Sequence, residues 1–487
     1  MVFYISMAIA LGFVVWGFIS PTTLGSTASL VLGGIVDQFG WVYLVTALGI
    51  LLFSLFIAFS KFGKIRLGED SEKPEYSNFA WFSMLFSAGM GIGLVFWGVA
   101  EPMYHYLQPP LGITPESAES AVMAMRFSFF HWGFHPWAMY AVVGLALAYV
   151  TFRKKKACLI SSTLYPLLGE KSKGAFGSFV DIMAILVTIF GVATSLGLGA
   201  LQVNGGLSYL FGVPVGYVTQ IIIIVAITLL FVLSATSGID KGIKTLSNAN
   251  IALATAIMVL VLLLGPTSFI FEIFTQSLGG YVQNILEMSL RITPIQKDPW
   301  ISAWTIFYWA WWISWSPFVG TFIARISRGR TIKEFVLGVL VLPAIFCFIW
   351  FSVLGGTALN FEIVEGLNIS EAVLTDISTG LFATLSHIPF GSIISFAAIF
   401  LITTFFITSA DSATFVLSMF SSKGDLNPKN SVKILWGVVQ SMIAIVLLIS
   451  GGLSAMQSIS IIMALPFLLI VVLMCISIFK AVKEEYN

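Results

Sequence analysis

Charge is what this chain has least of. Lysine and arginine number 24 and aspartate and glutamate 23 among 487 residues, so only 10% of positions are charged. An ordinary soluble protein, with roughly a quarter of its residues charged, is excluded. A net charge of +1 leaves no electrostatic footprint for nucleic acid. Cysteine is nearly absent: Cys158, Cys347 and Cys475 lie in or near apolar stretches without paired spacing, which suggests neither a disulfide framework nor a thiolate metal site. Of the four histidines only His131 and His135 are close together, which argues against a metalloenzyme. The first apolar run, Phe3 to Ser20, lacks the basic flank and small-residue cleavage site of a signal peptide and reads as a span. What is abundant is apolar surface: 58% of residues are hydrophobic and the mean hydropathy is +0.97, the composition of an all-α integral membrane protein.

A transmembrane helix needs about 20 apolar residues. By that measure the chain holds twelve spans, at 3–20, 41–60, 79–107, 121–152, 178–210, 217–236, 246–270, 301–323, 332–357, 390–421, 430–450 and 455–480. Basic residues fall on alternate connections: Lys61, Lys64, Arg66 and Lys73, then Arg153 to Lys156 with Lys171 and Lys173, then Lys241 and Lys244, then Arg325, Arg328, Arg330 and Lys333, then Lys423, Lys429 and Lys433. The other connections hold only Arg291 and Lys297, with Arg126 near the outer start of its helix. The positive-inside rule then places both termini in the cytoplasm of a multi-pass cell-membrane protein. Residues 277–290 read as an amphipathic outer element, and 358–389 as an acidic outer loop; either could be a gate or a plain connector.

The stretch Trp304-Thr-Ile-Phe-Tyr308-Trp309-Ala-Trp311-Trp312-Ile-Ser-Trp315-Ser-Pro317 carries five of the 14 tryptophans. Tryptophans running into a span are either packing residues beside an interfacial belt or ring faces converging on a cation that cannot lose its charge. In the third span, Ser87-Ala-Gly89-Met90-Gly91-Ile92-Gly93 places three glycines at alternate positions. They permit close helix packing, or unwound backbone lining a cavity. Ser314-Trp315-Ser316-Pro317 predicts a second break, in the eighth span. Interrupted helices five spans apart predict two inverted five-helix units, spans 3–7 and 8–12, with a site between them.

A second aromatic group, His131-Trp132-Gly-Phe-His135-Pro136-Trp137-Ala-Met-Tyr140, lies in the fourth span, with no acidic partner for its histidines at helical spacing. The tenth carries Phe405-Phe-Ile-Thr408-Ser409-Ala-Asp411, whose hydroxyls could complete an oxygen shell for a small cation or simply bond their own backbone. Asp411 reads as an ion ligand, a structural partner or a bridge to an arginine, the structural role being favoured. Thr188, Thr194 and Ser195 in the fifth span are a weaker cation candidate. The ionisable groups at depth reduce on this reading to Asp411, His131 and His135, too few for a membrane-embedded enzyme.

These residues together resemble the betaine/carnitine/choline transporter family. The match is carried by the Trp304–Trp315 phrase, by Gly89-Met-Gly-Ile-Gly93, by the group at 131–140, by Phe-Ile-Thr-Ser-Ala-Asp at 406–411 and by Ala324-Arg-Ile-Ser-Arg-Gly-Arg330, in order along essentially the whole chain. The resemblance implies a leucine-transporter-type five-plus-five inverted repeat in helices 3–12, in a protein that is usually a homotrimer. The chain then divides into two N-terminal helices (1–78), the first repeat (79–270), an amphipathic connector (271–300), the second repeat (301–480) and a short cytoplasmic tail (481–487). Trp132, Trp137, Tyr140, Trp311, Trp312 and Trp315 would cage a trimethylammonium head. Met90, Gly91 and Gly93 would lie against the substrate, and Phe318 and Phe322 along the inner path. Ser87, Met90, Phe405, Thr408 and Ser409 look like the family's sodium site, with Thr194 and Ser195 as candidates for a second.

Proton-coupled choline members carry an aspartate where this chain has Gly93, and sodium-independent carnitine exchangers lack the glycine pattern. The expectation is therefore a sodium-coupled importer of glycine betaine or a similar zwitterion as a compatible solute, without an organic cofactor. The alternative is a proton-coupled choline or carnitine transporter.

Overall fold

Inside a bilayer the backbone has no partner but itself, and long apolar runs therefore fold as helices. The computed structural model describes residues 1–89, 91–237 and 240–486, the side chains of 86–89, 237 and 240–244 excepted. It is helical almost throughout; among the described residues the β structure is one isolated bridge, Arg66 to Thr331. The longer helices are α1 (Val2–Ile19), α2 (Pro21–Phe59), α3 (Asn78–Gly89), α4 (Ile92–Leu107), α5 (Ala118–Trp132), α6 (Phe134–Ala148), α7 (Ala175–Phe211), α8 (Tyr217–Ser237), α9 (Asp240–Leu264), α10 (Thr267–Ser289), α11 (Phe307–Arg325), α12 (Ile332–Ile363), α13 (Gly391–Ser421), α14 (Asn430–Gly451) and α15 (Leu453–Tyr486).

Among the described residues, ten helical segments, α5 and α6 counted as one, are long and apolar enough to cross a membrane. The two expected spans below that standard are 79–107, cut into α3 and α4, and 301–323, rich in tryptophan and serine. Several boundaries differ from the sequence reading. The helix expected at 41–60 begins at Pro21, a first-turn position where the missing amide costs nothing, and it incorporates the Gly- and Ser-bearing stretch 21–40 that is too polar to count as a span. Pro266 follows the end of α9, so residues 267–270 belong to α10. Residues 277–290 are the far half of α10, which packs on α5 and α12. Helix α12 runs on to Ile363, and two short helices, Ile369–Thr375 and Gly380–Ser386, follow it.

Breaks occur where the backbone loses a donor or a side chain. Gly91, between α3 and α4, is extended at φ −153° and ψ −178°. Gly133 separates α5 from α6, and Pro136 in the next turn has no amide to offer the Trp132 carbonyl. The break expected at Ser314–Pro317 is absent: α11 continues through Pro317. The proline deprives the Ile313 carbonyl of its usual donor, and Ser316 Oγ donates to it instead at 2.7 Å.

Packing sets α4, α6 and α11 about one point. Helix α11 makes its most extensive contact with α6, and α4 lies against α5 and α12. Helix α13 packs on α7, while α15 touches α2, α7 and α11. Three of the connections that carry basic residues, those around Arg66, Arg153 and Gly329, meet one another and the C-terminal turn of α15. There Arg153 pairs with Asp70 at 2.7 Å and with Glu485, Lys154 reaches Glu485 at 2.8 Å, and Arg66 donates to the Gly329 carbonyl.

Candidate functional site

A cavity opens at the start of α4, lined by Gly91, Gly93, Leu94, Trp132, Tyr140, Trp311, Trp312 and Trp315. The Gly133 break brings Trp132 and Tyr140 from two differently directed helices, and α11 supplies three tryptophans within two turns. Trp132 and Trp312 meet edge to face at 5.1 Å, and Tyr140 and Trp312 at 5.3 Å. Trp311 stands 6.2 Å from Trp132.

Each indole N–H is tied to an acceptor that does not line the cavity. Trp132 Nε1 donates to Glu101 Oε2 at 2.8 Å and Trp311 Nε1 to Ser195 Oγ at 3.1 Å. Trp312 Nε1 donates to the His131 carbonyl and Trp315 Nε1 to the Gly191 carbonyl, both at 3.1 Å. With the polar edges engaged elsewhere, the walls offer π faces and glycine backbone. Such a wall attracts a positive charge that has no proton to donate. The approach is close at Gly93, where an added Cβ would stand 2.2 Å from the tip of the Trp311 ring.

Other residues singled out by sequence take varied positions. Trp137 is buried and touches Tyr140 at 5.6 Å and Trp312 at 6.3 Å, but it lies outside the cavity lining. Phe318, against Trp315 at 5.5 Å, and half-buried Phe322 also stand outside it, further along α11. Met90 and the Ser87 side chain lie outside the described residues. Thr408 Oγ1 sits 3.3 Å from the Phe405 carbonyl and donates to the Thr404 carbonyl at 3.1 Å, with Asn250 Nδ2 at 3.5 Å; Ser409 is half-buried beside it. Thr194 Oγ1 lies among the Phe190 and Met456 carbonyls and Ser460 Oγ at 3.0–3.3 Å, while Ser195 is the acceptor for Trp311. Asp411 is buried in α13.

Comparison with known proteins decides the family. The model of the betaine/carnitine/choline family of transporters matches residues 1–487. The chain belongs to this family. It is 52% identical to the glycine betaine transporter OpuD of Bacillus subtilis (strain 168), over 99% of this chain and 94% of that protein. A probable glycine betaine transporter of Desulfitobacterium hafniense (strain Y51) is 46% identical over 100% of this chain and 98% of its own length. An ectoine/hydroxyectoine transporter of Virgibacillus pantothenticus is 47% identical over 99% and 96%. The protein is thus a membrane transporter and not an enzyme.

One part of this candidate site escaped the sequence reading. Glu101, wholly buried in α4, accepts from His131 Nδ1 at 2.7 Å, Trp132 Nε1 at 2.8 Å and Tyr308 Oη at 2.5 Å, with His105 Nε2 at 3.3 Å. His131 Nε2 in turn meets Thr305 Oγ1 at 2.9 Å, from the π-helical turn Ser302–Ile306 that leads into α11. The acidic partner that His131 lacks along its own helix comes from α4. His135 bonds Ser289 of α10 and stacks on Trp309. The reduction of ionisable groups at depth to Asp411 and two histidines overlooked Glu101 and His105. An acid amid the apolar run 79–107 was the available signal.

Proposed function

We propose that the protein is a sodium-coupled symporter that imports glycine betaine, or a related quaternary-ammonium zwitterion, as a compatible solute. One observation carries this reading: four indoles face a single cavity while their N–H groups bond elsewhere. Each well-placed ring is worth about 0.5–2 kcal/mol to a desolvated ammonium. The glycine-interrupted backbone between α3 and α4 lies beside the rings, where free amides suit a carboxylate. The names of the first two relatives point to the same substrate. Trp132, Tyr140, Trp311, Trp312 and Trp315 then enclose the trimethylammonium head, with Trp137 as support behind Tyr140 and Trp312.

Sodium is the proposed co-substrate, held by the Phe405 carbonyl with the Thr408 and Ser409 hydroxyls from α13 and by backbone at Ser87 and Met90. Phe405 and Thr408 present two oxygens within 3.3 Å of each other, and their chemistry suits a hard cation. The oxygens around Thr194 are the candidate for a second ion, with Ser195 adjoining but engaged by Trp311. A proton-coupled choline carrier with an acid at position 93 fits less well, because a side chain there meets the Trp311 ring. Ectoine is a second substrate to consider, on the strength of the third relative's name. The remaining features of the reading are twelve spans with the ten-helix inverted repeat, both termini in the cytoplasm and a homotrimer.

Uptake of labelled glycine betaine, competed by choline, carnitine, proline and ectoine in sodium and in potassium at constant pH, tests the proposal. Accumulation in sodium alone, displaced best by betaines, is the expected result. Accumulation that persists in potassium and follows a pH gradient would replace sodium by proton coupling.

A further inference from the structure

Glu101 is the unusual element of the interior. It is fully buried, and its two oxygens make four side-chain hydrogen bonds, with Trp132 and Tyr308 donating to Oε2 and ring nitrogens of His105 and His131 beside Oε1. A carboxylate offers about four acceptor positions, so these four contacts match what one such group can receive. The spacing of Glu101, His105 and His131 would also suit a metal ion. The hydrogen bonds already occupy the carboxylate, however, and Thr305 holds the other nitrogen of His131. A hydrogen-bonded carboxylate accounts for the cluster without an ion.

The position of this group relative to the cavity gives it a role. The same oxygen, Oε2, is shared by Trp132, which lines the cavity, and Tyr308, which stands 6.2 Å from Trp311. None of the described residues lining the cavity is charged. We infer that Glu101 is the fixed countercharge of the aromatic cavity, setting the preference for a cationic head over a neutral one of the same shape while orienting the Trp132 ring. Its charge acts through one indole, whose N–H it polarises, and across a buried interior that screens it weakly. This inference rests on the betaine reading and deepens it by separating charge from shape in the recognition of the head group.

Glycine betaine and its carbon isostere 3,3-dimethylbutanoate differ in that one quaternary centre is nitrogen and the other carbon. The full-length protein, with sodium present, is titrated with each by tryptophan fluorescence. The unaltered protein is expected to prefer betaine by about tenfold or more, the scale of a single close charge interaction. Glu101→Gln keeps the side chain's shape and removes its charge; betaine affinity should fall by about tenfold while the isostere changes by less than about threefold. Glu101→Asp should retain part of the preference. Equal weakening of both ligands in Glu101→Gln would mean that Glu101 only shapes the cavity, and the inference would be overturned. Tyr308→Phe, which keeps the charge and removes one donor, must keep the preference, and its loss there would equally overturn the inference. That variant carries the test if Glu101→Gln does not reach the membrane. An unaltered protein that binds no betaine defeats the betaine reading and the inference together, whereas an unchanged preference in Glu101→Gln defeats the inference alone.

Discussion

Between α3 and α4 the chain is extended at Gly91, whereas α11 runs from Phe307 to Arg325 straight through Pro317. Proline is the stronger helix breaker, costing about 3 kcal/mol in a helix interior against about 1 kcal/mol for glycine. The order is reversed here because the damage differs in kind. Pro317 removes one donor, and the neighbouring Ser316 hydroxyl replaces it at the Ile313 carbonyl. The glycines of the third span carry no side chain that could make such a repair. Instead, side chains from other helices brace the first turn of α4: Trp350 donates to the Leu94 carbonyl at 2.9 Å and Gln202 to the Val95 carbonyl at 3.1 Å. These contacts join α4 to other helices just after the interruption, and the Trp311 ring fills the space that a side chain at Gly93 would take.

The strongest way to break this comparison is Gly93→Ala. Its Cβ would meet Trp311 at 2.2 Å, and that ring is fixed by Ser195 and stacked on Phe307. Uptake per molecule of membrane protein should fall by about 100-fold, the scale of an ångström-level misplacement at a binding site; near-normal uptake would show that the close approach is incidental.

Next in size, Trp312→Leu should raise the KM for glycine betaine about tenfold, by loss of a cation–π face, while protein continues to reach the membrane. Initial-rate uptake against betaine concentration checks it, and an unchanged KM would remove the cage. Trp137→Phe sharpens the distinction between lining and support: lying outside the cavity, it should change KM by no more than about threefold.

The smallest effect concerns the repaired proline. Ser316→Ala should lower stability by about 1 kcal/mol, the net worth of one buried hydrogen bond, with little change in KM. Thermal unfolding of the purified protein measures it. Adding Pro317→Ala should recover the loss, since the restored amide can serve the Ile313 carbonyl again.

Much of the helical framework is legible in the chain because a bilayer rewards local pattern: apolar runs of sufficient length become helices whatever their neighbours. The aromatic inventory was equally plain, since five tryptophans between Trp304 and Trp315 stand out in any reading. Local rules misjudged Pro317, where one serine hydroxyl changed the outcome. They also missed the start of α2, where residues 21–40 hold too little apolar surface to signal a span. Glu101 was overlooked for a different reason. It makes sense only beside Trp132 and Tyr308, which lie 31 and 207 positions away.

Composition and motif alone therefore determined that this is a helical membrane protein of a particular transporter family, with rings and glycines in set places along the chain. Packing alone decided which rings share a cavity, which one stands behind it, and where every cage indole sends its N–H. Those choices depend on hydrogen bonds between helices remote in sequence, and such bonds become definite only when the helices have closed around a common centre.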